Sequence, residues 1–80
     1  MILRLYSTAA CHLCEEAATL LHGIAKEIDI EWTEIDIVDH DELMQRYALE
    51  IPVLHRLDTD QILNWPFSRH DILALLRTDD

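Results

Sequence analysis

The chain holds two cysteines, and they stand three apart, as Cys11-His12-Leu13-Cys14. Two thiols at that spacing can do one thing well, which is to exchange electrons with another disulfide. If the pair opens a helix, the unbonded N–H groups of the first turn and the positive end of the helix dipole both favour thiolate. In such settings a cysteine pKa falls from about 8.5 toward or below neutrality, and the thiol becomes a nucleophile. Cys11, nearest the preceding loop, is the expected attacking nucleophile. Cys14, one turn further in and on the same side, is the expected resolving cysteine, which attacks the Cys11 sulfur of a mixed disulfide and releases the partner's thiol. As a crosslink the pair is poor: a four-residue loop contributes roughly 2 kcal/mol, against ~4.7 for a 100-residue loop. The spacing therefore points to chemistry.

Other residues bear on that chemistry. His12 lies between the cysteines and is a candidate for tuning Cys11 and contacting substrate. Glu15 and Glu16 suit a first helical turn, but their charge opposes a nearby thiolate, so the acidity of Cys11 is expected to be moderate. Pro52, in Glu50-Ile51-Pro52-Val53, is the position where a cis peptide bond is affordable, at about 0.5–1 kcal/mol over trans. A cis bond there would leave the Ile51 backbone free to hold an extended substrate, making Ile51, Pro52 and Val53 candidate substrate-binding residues. Zinc is the alternative chemistry for two cysteines. A structural zinc site takes four ligands in paired spacings, and no two of His12, His22, His40, His55 and His70 stand at the His-x₃₋₅-His interval, so no metal site is expected.

Positioning the pair takes a framework, and the hydrophobic pattern supplies one. Ile2 to Tyr6 predicts a strand, Ser7-Thr8-Ala9-Ala10 a small-residue loop, and then Leu13, Ala17, Leu20 or Leu21, Ile24 and Ile28 recur at helical spacing. The cysteines thus open that helix. Ile30 to Ile37 predicts a second strand, with an alternation that slips between Trp32 and Ile35, as burial on both faces or a bulge would produce. Asp39-His40-Asp41-Glu42 suits a helix N-terminus, Leu43 and Tyr47 give a short inward face, and Pro52 stops it. Val53 to Leu57 and Gln61 to Trp65 flank the polar Asp58-Thr59-Asp60 and predict an antiparallel hairpin. Ser68 and Asp71 form a capping-box variant with Phe67 and Ile72 as its staple, followed by a last helix with Leu73, Leu75 and Leu76 inward. The expected fold is α/β, in the order βαβ-α-ββα, a four-stranded mixed sheet with helices on both faces and a right-handed first crossover, forming a single domain over 1–80. Trp32 is expected in the core, and Trp65 in the core or closing a pocket at the sheet edge.

Cys11-His12-Leu13-Cys14 after a first strand, Ile35-Asp36-Ile37 at the end of a second, and Ile51-Pro52-Val53-Leu54 opening a hairpin resemble the glutaredoxin family of the thioredoxin superfamily. The resemblance spans nearly the whole chain. It implies a thioredoxin-like fold, Cys11 as nucleophile, Cys14 as resolving cysteine and Ile51-Pro52 as a cis-proline segment that contacts substrate. It also implies glutathione as a co-substrate, but the family's glutathione-binding features are missing. No Pro-Tyr stands between the cysteines, Thr8 replaces a basic residue, and Asn64-Trp65-Pro66-Phe67-Ser68 replaces a glycine pair followed by acidic residues. The chain reads as a short, divergent glutaredoxin-like member.

Composition sets the remaining bounds. With 16 acidic against 6 basic residues the formal charge is -10, which repels nucleic acid and anionic membrane surfaces. Neither a secretory leader nor a membrane span is visible, so a reducing cytoplasmic setting is expected. The reading is a monomeric thiol–disulfide oxidoreductase acting on a protein or small-molecule disulfide, without a cofactor. The alternative is a redox-sensing or metal- or partner-binding module on the same scaffold, without turnover.

Overall fold

The computed structural model describes residues 1–77 of the 80-residue chain. Its elements run β1 (Ile2–Ser7), α1 (His12–Ala25), β2 (Glu31–Asp36), a 3-10 turn (Ile37–Asp39), α2 (Asp41–Tyr47), β3 (Val53–Arg56), β4 (Gln61–Asn64) and α3 (Arg69–Leu75). The sheet order is β2-β1-β3-β4. β1 pairs parallel with β2 and antiparallel with β3, and β3 pairs antiparallel with β4. The expected element order and mixed sheet are the ones observed.

Period-two alternation along β1 decides which helix covers which face. Leu3 and Leu5 point to one side, where with Leu54 they meet Ala17, Leu21 and Ile24 of α1 and Ile72 and Leu75 of α3. Tyr6 points to the other, into a smaller cluster with Ile37, Tyr47 and Val53 under α2. Helices therefore cover both faces. Of the two expectations for β2, burial on both faces or a bulge, the first is the one found. Its register against β1 is unbroken from Ile2↔Glu31 to Ser7↔Asp36, so it has no bulge there. It is an edge strand, with no residue fully buried. Trp32 packs, half-buried, against the larger cluster and Ile35 against the smaller one, so the slip in alternation reflects one apolar residue given to each face.

Helix ends also depart locally from the sequence reading. α1 closes at Ala25, so Ile28 falls beyond it and is exposed, as is Leu13 on its outer side. Asp36, not the acidic run after it, supplies a capping carboxylate, accepting the Val38 N–H at 3.0 Å at the 3-10 turn. The capping box of α3 is present, with the Asp71 carboxylate accepting from the Ser68 N–H at 2.8 Å. Phe67 and Ile72 are both buried beside it.

One buried cation ties the sheet to the last helix. Arg56, 2 % exposed, ends β3; its Nε and Nη2 donate to the two Asp58 carboxylate oxygens at 2.6 and 3.0 Å. Its Nη1 donates to the carbonyls of Leu75 and Arg77 at 2.8 Å each. Carbonyls at a helix C-terminus lack intrahelical donors and favour a cation, so Arg56 satisfies both requirements at once. Arg69 and Glu27 form a second tie, from α3 to the chain just beyond α1. Among the described residues, no helix is long and apolar enough to cross a membrane.

Arg56→Ala, which strips Asp58 and two helix-end carbonyls of their donor and empties a buried volume, is expected to lower unfolding free energy by about 3 kcal/mol in urea titration. The pH dependence has a definite sign. Hydrogen bonding from Arg56 holds the Asp58 carboxyl below its ordinary range, and the Ser68 N–H and hydroxyl do the same for Asp71. A carboxyl whose pKa is lower folded than unfolded contributes stability above the unfolded value, near 4, and loses it as pH falls through the folded value. Stability measured by circular dichroism should therefore decline below about pH 4, and less steeply in Asp58→Asn/Asp71→Asn.

Candidate functional site: a dithiol at the start of α1

β1 ends at Ser7, and the next three residues turn the chain into α1. Ala10 takes a left-handed φ of 59°, which a small side chain tolerates better than a branched one. Cys11 follows in extended conformation as the N-cap, and its sulfur takes the role that a Ser, Thr or Asp oxygen plays elsewhere: it accepts the Cys14 N–H at 3.2 Å. The cysteines are joined as a disulfide, with Cα atoms 5.2 Å apart. Their exposure is unequal. Cys14 is 1 % exposed and packed into the protein, whereas Cys11 is only half-buried.

His12 and Leu13 point outward. The His12 side chain is 84 % exposed, with Nδ1 3.9 Å from a Glu15 carboxylate oxygen. On the β2 side, a pocket of about 330 Å³ opens beside the loop that leads to Cys11, lined by Ser7, Thr8, Ala9, Glu34 and Asp36. The buried Ser7 hydroxyl donates to Glu34 at 2.8 Å.

The Ile51–Pro52 bond is cis. Pro52 is buried, and Val53 after it pairs with Tyr6, one residue before the end of β1. That register sets Ile51, Pro52 and Val53 at the same end of the sheet as the turn into Cys11. The Ile51 N–H donates to the Tyr47 carbonyl at 3.1 Å, closing the end of α2. A second cis bond, Trp65–Pro66, was not part of the sequence reading. Trp65 is half-buried, meets Phe67 edge-on at 5.0 Å between ring centroids, and borders a groove with Glu16, Thr19 and Leu20 of α1.

Sequence reasoning missed a polar chain that runs from this end toward the β3–β4 turn. The Tyr6 hydroxyl, 3 % exposed as a residue, lies 2.7 Å from His55 Nδ1, and His55 Nε2 lies 2.6 Å from Asp60 Oδ1. Tyr6 also stacks on Tyr47, with centroids 5.0 Å apart. The environment of His55 follows only from pairing: Val53 faces Tyr6, so His55, two residues on, projects from the same face. The same holds for Ser7 and Glu34, which are 27 residues apart.

The family model of the Glutaredoxin-like domain (DUF836) matches residues 2–77. Among solved structures, the chain is similar to protein XcR50 from X. campestris, at 31% identity over 92% of this chain and 93% of that one, with a TM-score of 0.78. It is also similar to protein Ne2328 from Nitrosomonas europaea, at 30% identity over 94% and 89%, with a TM-score of 0.80. Thioredoxin 1 from Thermosipho africanus, at 20% identity over 92% and 88%, has a TM-score of 0.72, which shows a shared thioredoxin-like fold. No curated protein matches the chain.

His55→Ala leaves the buried Tyr6 hydroxyl without its partner and is expected to reduce stability by about 2 kcal/mol. Tyr6→Phe removes the hydroxyl itself and leaves the less deeply buried imidazole bonded to Asp60, so thermal unfolding should show the smaller loss for that variant.

Proposed function

This chain belongs to the glutaredoxin-like domain family, and on that premise we propose that it is a thiol–disulfide oxidoreductase whose nucleophile is Cys11. The observation that carries the reading is the asymmetry of the pair: the half-buried Cys11 sulfur faces a helix N-terminal N–H, while Cys14 is sealed behind it. A thiolate at Cys11 gains from that N–H and from the helix dipole, whereas a charge on buried Cys14 meets a desolvation penalty. The attacking and resolving roles follow from this difference.

In the reduced protein, the Cys11 thiolate attacks one sulfur of a substrate disulfide, forming a mixed disulfide and expelling the other substrate sulfur as thiolate, which takes up a proton. Cys14 gives up its proton, attacks the Cys11 sulfur and releases the second substrate thiol. Two electrons pass to the substrate, and the protein is left as the Cys11–Cys14 disulfide. A dithiol reductant restores it by the same exchange in reverse. The Ile51-Pro52-Val53 segment flanks the substrate chain, with the Ile51 N–H already committed to the Tyr47 carbonyl, and His12 contacts the chain from the outer side. The reaction calls for no metal or other cofactor. Glutathione is an optional co-substrate, and the physiological partner is a protein or small-molecule disulfide met by a monomer in the reducing cytoplasm, away from nucleic acid and membranes, where the activity serves redox homeostasis.

With a dithiol reductant and an insulin-type protein disulfide, Cys11→Ser is expected to bring turnover to background. Cys14→Ser should instead trap a mixed disulfide at Cys11 that mass spectrometry detects as a substrate-sized adduct. If both variants turn over like the parent, the dithiol is not the reactive group.

A further inference from the structure

We propose that the dithiol discriminates among disulfides by charge, favouring those that carry a positive charge beside their sulfur atoms; the inference rests on the exchange activity proposed above. The chain's net charge of -10 alone says only that the protein is acidic. What the fold adds is where the charges stand relative to Cys11.

Glu15 and Glu16 lie in the two positions after Cys14, both exposed. Glu34 and Asp36 line the pocket that opens just before Cys11. Glu50 precedes the Ile51-Pro52 segment at the same end of the sheet. Of the cations, Arg46 stands toward the cysteine end, over the Tyr47 ring that stacks on Tyr6; the rest are held elsewhere. Lys26 is the C-cap of α1, and Arg69 is engaged with Glu27 just past it. Arg56 pairs with Leu3, at the far end of β1 from Ser7, and binds the carbonyl of Arg77 there. Arg4 pairs with His55 nearer that end than the Cys11 turn.

Distance makes this placement matter. α1 has 14 residues, which at ~1.5 Å per residue sets Lys26 and Glu27 roughly 21 Å from the cysteine end. The Debye length is about 10 Å at 0.1 M salt, so the far cations are screened from Cys11 more than the carboxylates at its own end of the sheet. A substrate approaching the half-buried Cys11 therefore meets a negative field. The pocket between Ser7 and Glu34 gives an ammonium or guanidinium group a place to sit, with carboxylate acceptors on its β2 wall. An anionic disulfide gains nothing there. The same carboxylates leave the chemical step unchanged in kind: Cys11 forms the mixed disulfide and Cys14 resolves it, with two electrons delivered to the substrate.

Rates of disulfide reduction by the pre-reduced, full-length protein at pH 8 test this, using one peptide disulfide flanked by Lys, by Gln or by Glu, together with cystamine and oxidised glutathione. Each rate is divided by that disulfide's rate with dithiothreitol, which removes its intrinsic reactivity. The expected result at about 0.02 M salt is a Lys-over-Glu preference of about tenfold or more, shrinking to within about twofold at about 0.5 M. At 0.1 M, Glu34→Gln/Asp36→Asn should lower the preference several-fold, while Asp29→Asn/Glu31→Gln, which removes equal charge at the far end of β2, should leave it in place. A preference seen with both cystamine and the Lys peptide supports a general cationic disulfide; one confined to the peptide supports a basic polypeptide as the source. Equal normalised rates for Lys and Glu peptides at low salt, with the Gln peptide turned over, overturn the inference while leaving the exchange activity standing. Failure to reduce any of the five overturns the exchange activity itself.

Discussion

The antiparallel pairing of β1 with β3 is the constraint on which the site depends. Opposing Tyr6 to Val53 sets Pro52 beside the point where β1 gives way to the turn before Cys11, although 40 residues of chain separate Pro52 from Cys11 in numbering. The pairing is held from both sides: Leu5 and Leu54 are buried under α1 and α3, and Tyr6 and Val53 under α2. A slip of one residue would turn each of these sets to the wrong face. The burial of the two faces therefore enforces the register, and the register assembles the site.

The two ends of the sheet serve different ends. At the end away from the cysteines, Arg56 closes the β3–β4 turn against the C-terminus of α3, and Arg69 joins Glu27 beyond α1. These contacts bring helix-end carbonyls and two exposed carboxylates to their donors and leave the connections there fastened. At the cysteine end, by contrast, His12 and Leu13 project outward and carboxylates are exposed around a half-buried sulfur. With Arg56 and Arg69 engaged in holding the far end together, the cysteine end keeps an excess of negative charge. On the charge preference proposed above, stability and substrate choice draw on one distribution of charged groups.

The Cys11 cap shows how a single residue serves both fold and chemistry. A helix start calls for an acceptor at its N-cap, and the thiolate of the proposed exchange calls for a donor; the Cys14 N–H, bonded to the Cys11 sulfur, is placed to serve both. Ala10 in left-handed conformation turns the chain so that the sulfur reaches that position. Cys14 has the opposite environment, because α1 carries it onto the buried face that continues through Ala17, Leu21 and Ile24.

Much of this was legible in the residues. Helical recurrence of Ala17, Leu21 and Ile24 locates α1 and puts the cysteines at its start, the polar Asp58-Thr59-Asp60 locates the hairpin, and Ser68 with Asp71 locates the last helix, because each depends on local periodicity or capping. Features that depend on strand order were not legible. The edge position of β2, which leaves Trp32 half-buried, is set by which strands flank β1. The Tyr6–His55–Asp60 chain and the Ser7–Glu34 bond join residues 49, 5 and 27 positions apart, and the Arg56 tie reaches carbonyls 19 and 21 residues away. The sequence by itself determined the reactive pair and the elements that carry it, since those follow from spacing along the chain. Only the tertiary structure decided which charges face the pair and which polar groups are buried together, since side-chain neighbours across a sheet are chosen by register, and register is settled only when both faces are packed.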